Sequence, residues 1–253
     1  EALPLAREKY LGAAGGCQAI GKEGNTLPPL RLSVEGDLMV TVESKTASDT
    51  FNLYVPNVLA RQVLSGDVDQ SSGFTGTLES AIQCGAIQTD ESVVLMGLTG
   101  AFGFETLTVV IVGASFGEES LLLQSLLGEH VYVQAIEPVP EFLRAFRASV
   151  HENGWNHRLE LIDGAVCLER EEEIKLTNEK ANPYAARRLP SLHSTQVVQA
   201  RCVRVDDVIH EIQGMQSSLL ILTCNGMEYA AFRSARVSVK KNHPIIVASF
   251  FPR

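Results

Sequence analysis

The chain has no run of about 18 or more apolar residues, so it offers no candidate for a membrane-spanning helix. The stretch that comes closest, residues 92–113, is broken by Gly97, Gly100, Gly103 and Glu105, which suits buried strands and turns. Positive charge is also scarce. Twenty-one Lys and Arg stand against 30 Asp and Glu, a formal charge of -9, and the basic residues cluster only in pairs such as Arg187–Arg188 and Lys240–Lys241. That balance argues against a surface built for nucleic-acid phosphates, so neither a nucleic acid nor a membrane is an expected partner. Cysteines number five, Cys17, Cys84, Cys167, Cys202 and Cys224, with no C-x-x-C and no Cys/His cluster. The expectation is five reduced thiols in a reducing compartment. His193, His210 and His243 are too widely spaced to suggest metal ligands, so no protein-bound metal is expected. Nothing at Glu1 has the pattern of a signal peptide, which makes a cytoplasmic location the expectation. No internal repeat is visible.

What is present is ordinary for a folded α/β chain: 45% hydrophobic and 20% charged residues over 253 positions. The first thirty residues are rich in Gly, end in Pro28–Pro29 and read as an arm or loose cap. Three alternating segments follow, LRLSVEG, LMVTVES and TFNLYVP, divided by the turn-forming pairs Gly36–Asp37 and Ser48–Asp49. Short helices are expected in VPNVLARQVLSG and in TLESAIQ. Beyond Val93 the pattern changes to β-branched runs alternating with helical stretches, the signature of a mostly parallel, doubly wound sheet. TVVIVG, VYVQAIE, RLELIDGAV, SSLLILTC and PIIVASFF are the strands, and EESLLLQSLLG and PEFLRAFRASVHENG the first two helices. The second helix is bracketed by Pro140 at its first position and Gly154 where a left-handed cap is wanted. Its stripe of Phe142, Leu143, Phe146 and Val150 sets Arg144 and Arg147 facing away. The domain reading is therefore an N-terminal arm and small β/α cap region over 1–92, then an α/β domain over 93–253. Within it, the polar stretch 170–199 reads as an inserted loop or lid.

Chemistry concentrates at the strand ends. In VVIVGASFGEESLLL, Gly113, Ala114, Ser115 and Gly117 form the turn between a buried strand and a helix. In a doubly wound sheet, that crevice is where nucleosides bind. The spacing is G-x-x-x-G rather than G-x-G-x-x-G, and such a turn also occurs with no ligand. Glu137 closes the next strand just before Pro138, where a carboxylate can accept both ribose hydroxyls of an adenosine. The same acid would also favour the N-terminus of the helix after it. Asp163, with Gly164 and Ala165, ends the third strand beside the position of an adenine; Asp163 is equally a turn residue. Glu118 is a contact for a cofactor amino group or a helix-dipole acid.

GASFGEESL, AIEPVPEFLRAFRASVHENG and LELIDGAV in succession resemble the nucleotide-binding half of the FkbM-type methyltransferases. The likeness runs on through VRVDDVI and LLILTCNGMEYAAFRSA and covers roughly residues 109–250. It implies a class I fold, S-adenosylmethionine as cofactor, and O-methylation of a small molecule or saccharide acceptor. The sequence departs from the family pattern at three places. Ile111 stands where the family has an aspartate before the glycine turn, and Thr223 and Asn225 replace the acids of its "IDVEGAE" segment. Gly226 and Glu228 remain. The resemblance leaves Glu228, Asn225 and the inserted His193 as catalytic candidates: Glu228 is equally a solvated or cap residue, Asn225 a partner of the acceptor or of the cofactor's methionine, and His193 a base or a surface residue. Two other functions stay open: a catalytically inactive relative serving as a binding or scaffold module, and a nicotinamide-dependent oxidoreductase sharing the strand–glycine–helix–strand–acid pattern.

Overall fold

The computed structural model describes residues 31–32, 37–43, 50–57, 59–60, 106–168, 173–179, 182–187, 194–209, 217–224 and 226–248. Arg31–Leu32 (β1), Leu38–Glu43 (β2) and Thr50–Val55 (β3) form an antiparallel sheet in that order. Of the helix expected after β3, residues 57, 59 and 60 are helical, and the remainder, like TLESAIQ, lies outside the described residues.

A five-stranded sheet follows, built from Leu107–Val112 (β4), Val131–Glu137 (β5), Leu159–Asp163 (β6), Ser217–Leu222 (β11) and Ile245–Ala248 (β12). Its order is β12-β11-β4-β5-β6 and every neighbouring pair is parallel. Glu118–Leu127 (α1) and Pro140–Glu152 (α2) carry the chain across between β4, β5 and β6. Strand order reverses between β4 and β11, so their carboxyl ends open the crevice of a doubly wound sheet.

The period-two rule of strands divides the core into two layers. Val109 and Ile111 of β4 join Val133, Ala135 and the helices on one side; Val110 and Val112 join Ile136, Leu220 and Leu222 on the other. All six residues of β4 are buried, as a strand covered on both faces requires.

Between β6 and β11 lie Ala165–Val166 (β7), Glu173–Glu179 (β8), Asn182–Arg187 (β9), Ser194–Val203 (β10) and the helical turn Val205–Val208 (α3). The stretch read as a loop or lid thus carries strands, in a sheet of order β7-β10-β8-β9. Ile174, Leu176 and Ala200 bury themselves on the second core layer. Glu228–Ser234 (α4) and Arg236–Asn242 (α5) close the fold before β12.

The N-terminal hairpin lies on α2. Its edge strand β3 exposes alternate backbone groups, which would otherwise lack partners. Asn153 takes up both groups of Asn52, accepting its N–H at 2.9 Å and donating to its C=O at 2.7 Å. Ser149 Oγ accepts the Tyr54 N–H at 2.8 Å. Arg144, expected to face away, instead grips the buried carboxylate of Asp37 through two nitrogens at 3.0 and 2.8 Å. An acid brought under the helix from 107 residues upstream redirects it.

One cysteine expectation is corrected. Cys167 and Cys202 form a disulfide with Cα atoms 5.7 Å apart, and among the described residues Cys224 alone is a free thiol. The 35-residue separation hides the pair in sequence. Parallel pairing of β10 with β7 sets Cys202 opposite Ala165, beside the end of the strand that leads into Cys167.

Candidate functional site at the carboxyl ends of the strands

The turn after β4 is held by the strand beside it. Gly113 N–H and Ala114 N–H both donate to the Ile136 carbonyl, at 2.9 and 3.1 Å, and Gly117 N–H closes the turn onto Ala114 at 3.0 Å. Gly113 and Gly117 take φ of +86° and +93°, which a side chain disfavours. Space adds a second demand. A Cβ on Gly113 would lie 2.6 Å from the Thr223 carbonyl oxygen, and one on Gly117 would lie 2.2 Å from the Phe146 ring. The two glycines therefore admit β11 and α2 to the turn, a requirement that exists without any ligand. Ser115 sits between them at φ +54°. Its hydroxyl is buried and has no hydrogen-bond partner among the described residues.

Glu137 joins this turn to the next one. One carboxylate oxygen accepts Ser115 N–H at 2.9 Å and the other accepts Val139 N–H at 2.9 Å. The residue is only 4% exposed. Burial pushes its pKa up to about 8 against the pull of those two N–H groups, and the neighbouring Asp163 adds to the rise. Asp163 faces Glu137 across the β5–β6 ladder and is exposed, while Pro138 is half-buried. Gly164 donates to the Glu137 carbonyl at 3.3 Å. Its missing side chain makes room for Val203, whose Cγ2 a Cβ would meet at 2.3 Å. Ala165, paired with Cys202, is buried, and Glu118 is buried in the first turn of α1. Gly113, Ala114, Ser115, Gly117, Glu118, Glu137, Pro138, Asp163, Gly164 and Ala165 thus gather along three adjacent strand ends.

An adenosine cofactor fits these groups chemically. Each Glu137 oxygen holds one N–H and keeps a second lone pair for a ribose hydroxyl. The Ser115 hydroxyl is a buried polar atom that a ligand can satisfy.

Across the switch point the residues are committed differently. Thr223 N–H donates to the Val112 carbonyl at 2.9 Å, and its hydroxyl lies 3.3 Å from that carbonyl and 3.2 Å from the Gly113 carbonyl. It reinforces the β4 turn. Glu228 is buried, with Oε1 accepting Gly226 N–H at 2.8 Å in the first turn of α4. Cys224 has its thiol pKa raised by burial, and further by the charges of Glu228 and Glu137. It is half-buried at the end of β11, a place in the site that its reading as one of five reduced thiols did not anticipate. No spacing rule would have found it. Asn225 and His193 lie outside the described residues. Among the described residues, no group of three or more His, Cys, Asp or Glu is placed to hold a metal ion.

A family model described as the methyltransferase FkbM domain matches residues 112–252, more than half of the chain. Comparison with curated proteins finds no match. Solved structures with similarity include a methyltransferase FkbM from Methylobacillus flagellatus KT, 16% identical, covering 76% of this chain and 48% of that one, with TM-score 0.42. A methyltransferase from Geobacter sulfurreducens is 19% identical over 42% of this chain and 56% of that one, with TM-score 0.29. An O-methyltransferase from Bacillus cereus, in complex with SAH, is 11% identical over 42% and 41%, with TM-score 0.27. The chain spans about half the length of these relatives.

Proposed function

The chain belongs to the family of FkbM methyltransferase domains, and on that premise we propose that it transfers a methyl group from S-adenosylmethionine to an oxygen of a small molecule or saccharide. The observation that carries the reading is the Glu137 carboxylate. It is buried at the end of β5 and tied through Ser115 N–H to the glycine turn of β4. In this role Glu137 accepts the ribose hydroxyls, and Asp163 with Gly164 and Ala165 borders the adenine. The 113–117 turn, the Ser115 hydroxyl and Glu118 take the methionine end. The cofactor supplies a sulfonium-activated methyl group. The protein's share of the work is to hold the acceptor oxygen in line with that methyl and to exclude water. On the acceptor side Glu228 is fixed by Gly226 N–H, and its other oxygen orients an acceptor hydroxyl or takes its proton. Asn225 and His193 remain candidates for the same surface.

Thr223 favours a second reading. Its hydroxyl is directed at the carbonyls of Val112 and Gly113, where the family pattern has a carboxylate. A relative that binds the cofactor without turnover would tolerate that exchange.

Calorimetric titration with S-adenosylhomocysteine and with NAD tests the reading. We expect binding of the first and none of the second, weakened at least about tenfold in Glu137→Ala by loss of the ribose contacts. Binding of NAD alone, or of neither, sinks the proposal. Transfer of label from methyl-labelled cofactor into extract metabolites separates an active enzyme from a binding module.

A further inference from the structure

We propose that the outer face of α4 and α5 is a docking surface for an anionic lipid bilayer. The two helices bury Ala230, Ala231 and Ala235 in the second core layer and turn a different set of residues outward. Tyr229 and Val237 are each 65% exposed and Phe232 is 45% exposed. Arg233, Arg236 and Lys240 are exposed among them. The outward positions 229, 232, 233, 236, 237 and 240 advance by three and one, the step of a single helical face. Hydrogen bonding carries that face across the junction, from Ala235 N–H to Ala231 and from Val239 N–H to Ala235.

The charged side chains that α4 and α5 themselves turn outward are all basic. From Tyr229 to Ala248 the sequence contains no Asp or Glu, in a chain whose formal charge is -9. Among the described residues, two acids of the neighbouring α3, Asp206 and Asp207, approach it and are outnumbered by Arg233, Arg236 and Lys240. Asp206 of α3 accepts the backbone N–H groups of Val237 and Ser238, at 3.0 and 2.8 Å, and Asp207 pairs with Arg204. Glu228 is buried beneath α4. Composition therefore conceals a local cationic stripe.

Arginine and lysine interleaved with exposed aromatic and aliphatic side chains suit the bilayer boundary, where the cations meet lipid phosphates and the apolar groups leave water. Arg233 already lies over the Tyr229 ring, 6.0 Å from its centroid, which keeps its charge at the level of the aromatic groups. A polyanion such as nucleic acid or an acidic peptide would neutralise the arginines but leave Phe232 and Val237 wet. Among the described residues no helix is long and apolar enough to cross a membrane, so the contact is with the surface.

Co-sedimentation of the full chain with phosphatidylcholine vesicles, with and without about a third phosphatidylserine, tests this. Binding is expected only to the anionic vesicles and should fall as salt is raised. Arg236→Glu/Lys240→Glu, and separately Phe232→Ser/Val237→Ser, should each weaken it at least about tenfold. Neither pair touches the strand-end site, so thermal unfolding and S-adenosylhomocysteine binding should match wild type and report that the variants fold. Absence of binding to anionic vesicles overturns the proposal. So does equal binding by folded variants, or a DNA duplex or polyglutamate that binds more tightly than the vesicles do.

Discussion

Replacing Glu137 by glutamine should make stability less dependent on pH, and the size of the effect follows from the burial of one carboxyl. In the folded protein its pKa is pushed up to about 8 from an ordinary 4.5. Below pH 4.5 the group is protonated in both folded and unfolded chains and costs nothing. As pH rises from there, the unfolded chain releases the proton while the folded protein keeps it, so stability falls. The decline ends near pH 8, where the folded protein releases its proton too. At about 1.4 kcal/mol per pH unit the full loss is on the order of 5 kcal/mol. Glutamine lacks this slope but carries a cost of its own. Its amide NH2 must face either Ser115 N–H or Val139 N–H, donor against donor, at about 1–3 kcal/mol for a buried unpaired group. Wild type should therefore be the more stable at pH 5, and the difference should shrink or reverse by pH 8. Urea unfolding at pH 5, 6, 7 and 8 measures it, and parallel curves for the two proteins would refute the reasoning. The cofactor adds a linked test. Ribose hydroxyls donating to Glu137 favour its charged form, so S-adenosylhomocysteine should expel a proton on binding within this window. Calorimetry in buffers of different ionisation enthalpy detects that proton. Binding without release removes the ribose contact and leaves the stability argument standing.

Other outcomes follow from packing and cross-links. Gly117→Ala should cost about 1–3 kcal/mol through positive φ and the Phe146 contact. Gly113→Ala should cost more, since its obstacle is the Thr223 backbone; denaturant curves without cofactor that match wild type would contradict both. Asn153→Ala, which unpairs both backbone groups of Asn52, should lose about 1–3 kcal/mol and speed hydrogen exchange at Asn52; unchanged exchange there counts against the docked edge. Cys202→Ser should lower the stability of the oxidised protein by about 3–4 kcal/mol on chain-entropy grounds, with the gap closing in reductant. Wild type that is insensitive to reductant would mean the Cys167–Cys202 pair is not formed.

The local parts of this fold were legible. Pro140 begins α2 and Gly154 stands at φ +72° where a left-handed cap was expected. The β-branched runs became the strands of the parallel sheet because a short apolar run and a glycine turn are decided within a few residues. Contacts between distant residues were not legible. Nothing in the spacing of Asp37 and Arg144 announces their bond, and the register of β10 on β7 brings Cys202 to Cys167 without any motif. The site shows the same division. Glu137 and the glycine turn were readable as a group, but the contacts of the two glycines with Phe146 and Thr223 were not, since these lie on other elements. The commitment of the Thr223 hydroxyl to the β4 turn depends on β11 lying beside β4, 110 residues away in sequence.

The seam between hairpin and helix bears on where this protein can be cut. The recognisable family region starts at residue 112, inside the last position of β4. Leu38, Val40, Phe51 and Leu53 of the hairpin share one core with Val109, Ile111 and Phe146. On α2, Ser149 and Asn153 face the hairpin while Phe146 fills the space left by Gly117. A fragment trimmed to the homologous region would split β4 and strip the outer face of α2, the helix that shapes the cofactor turn. The family match covers one part of this molecule; the hydrophobic core is wider and extends back to the hairpin.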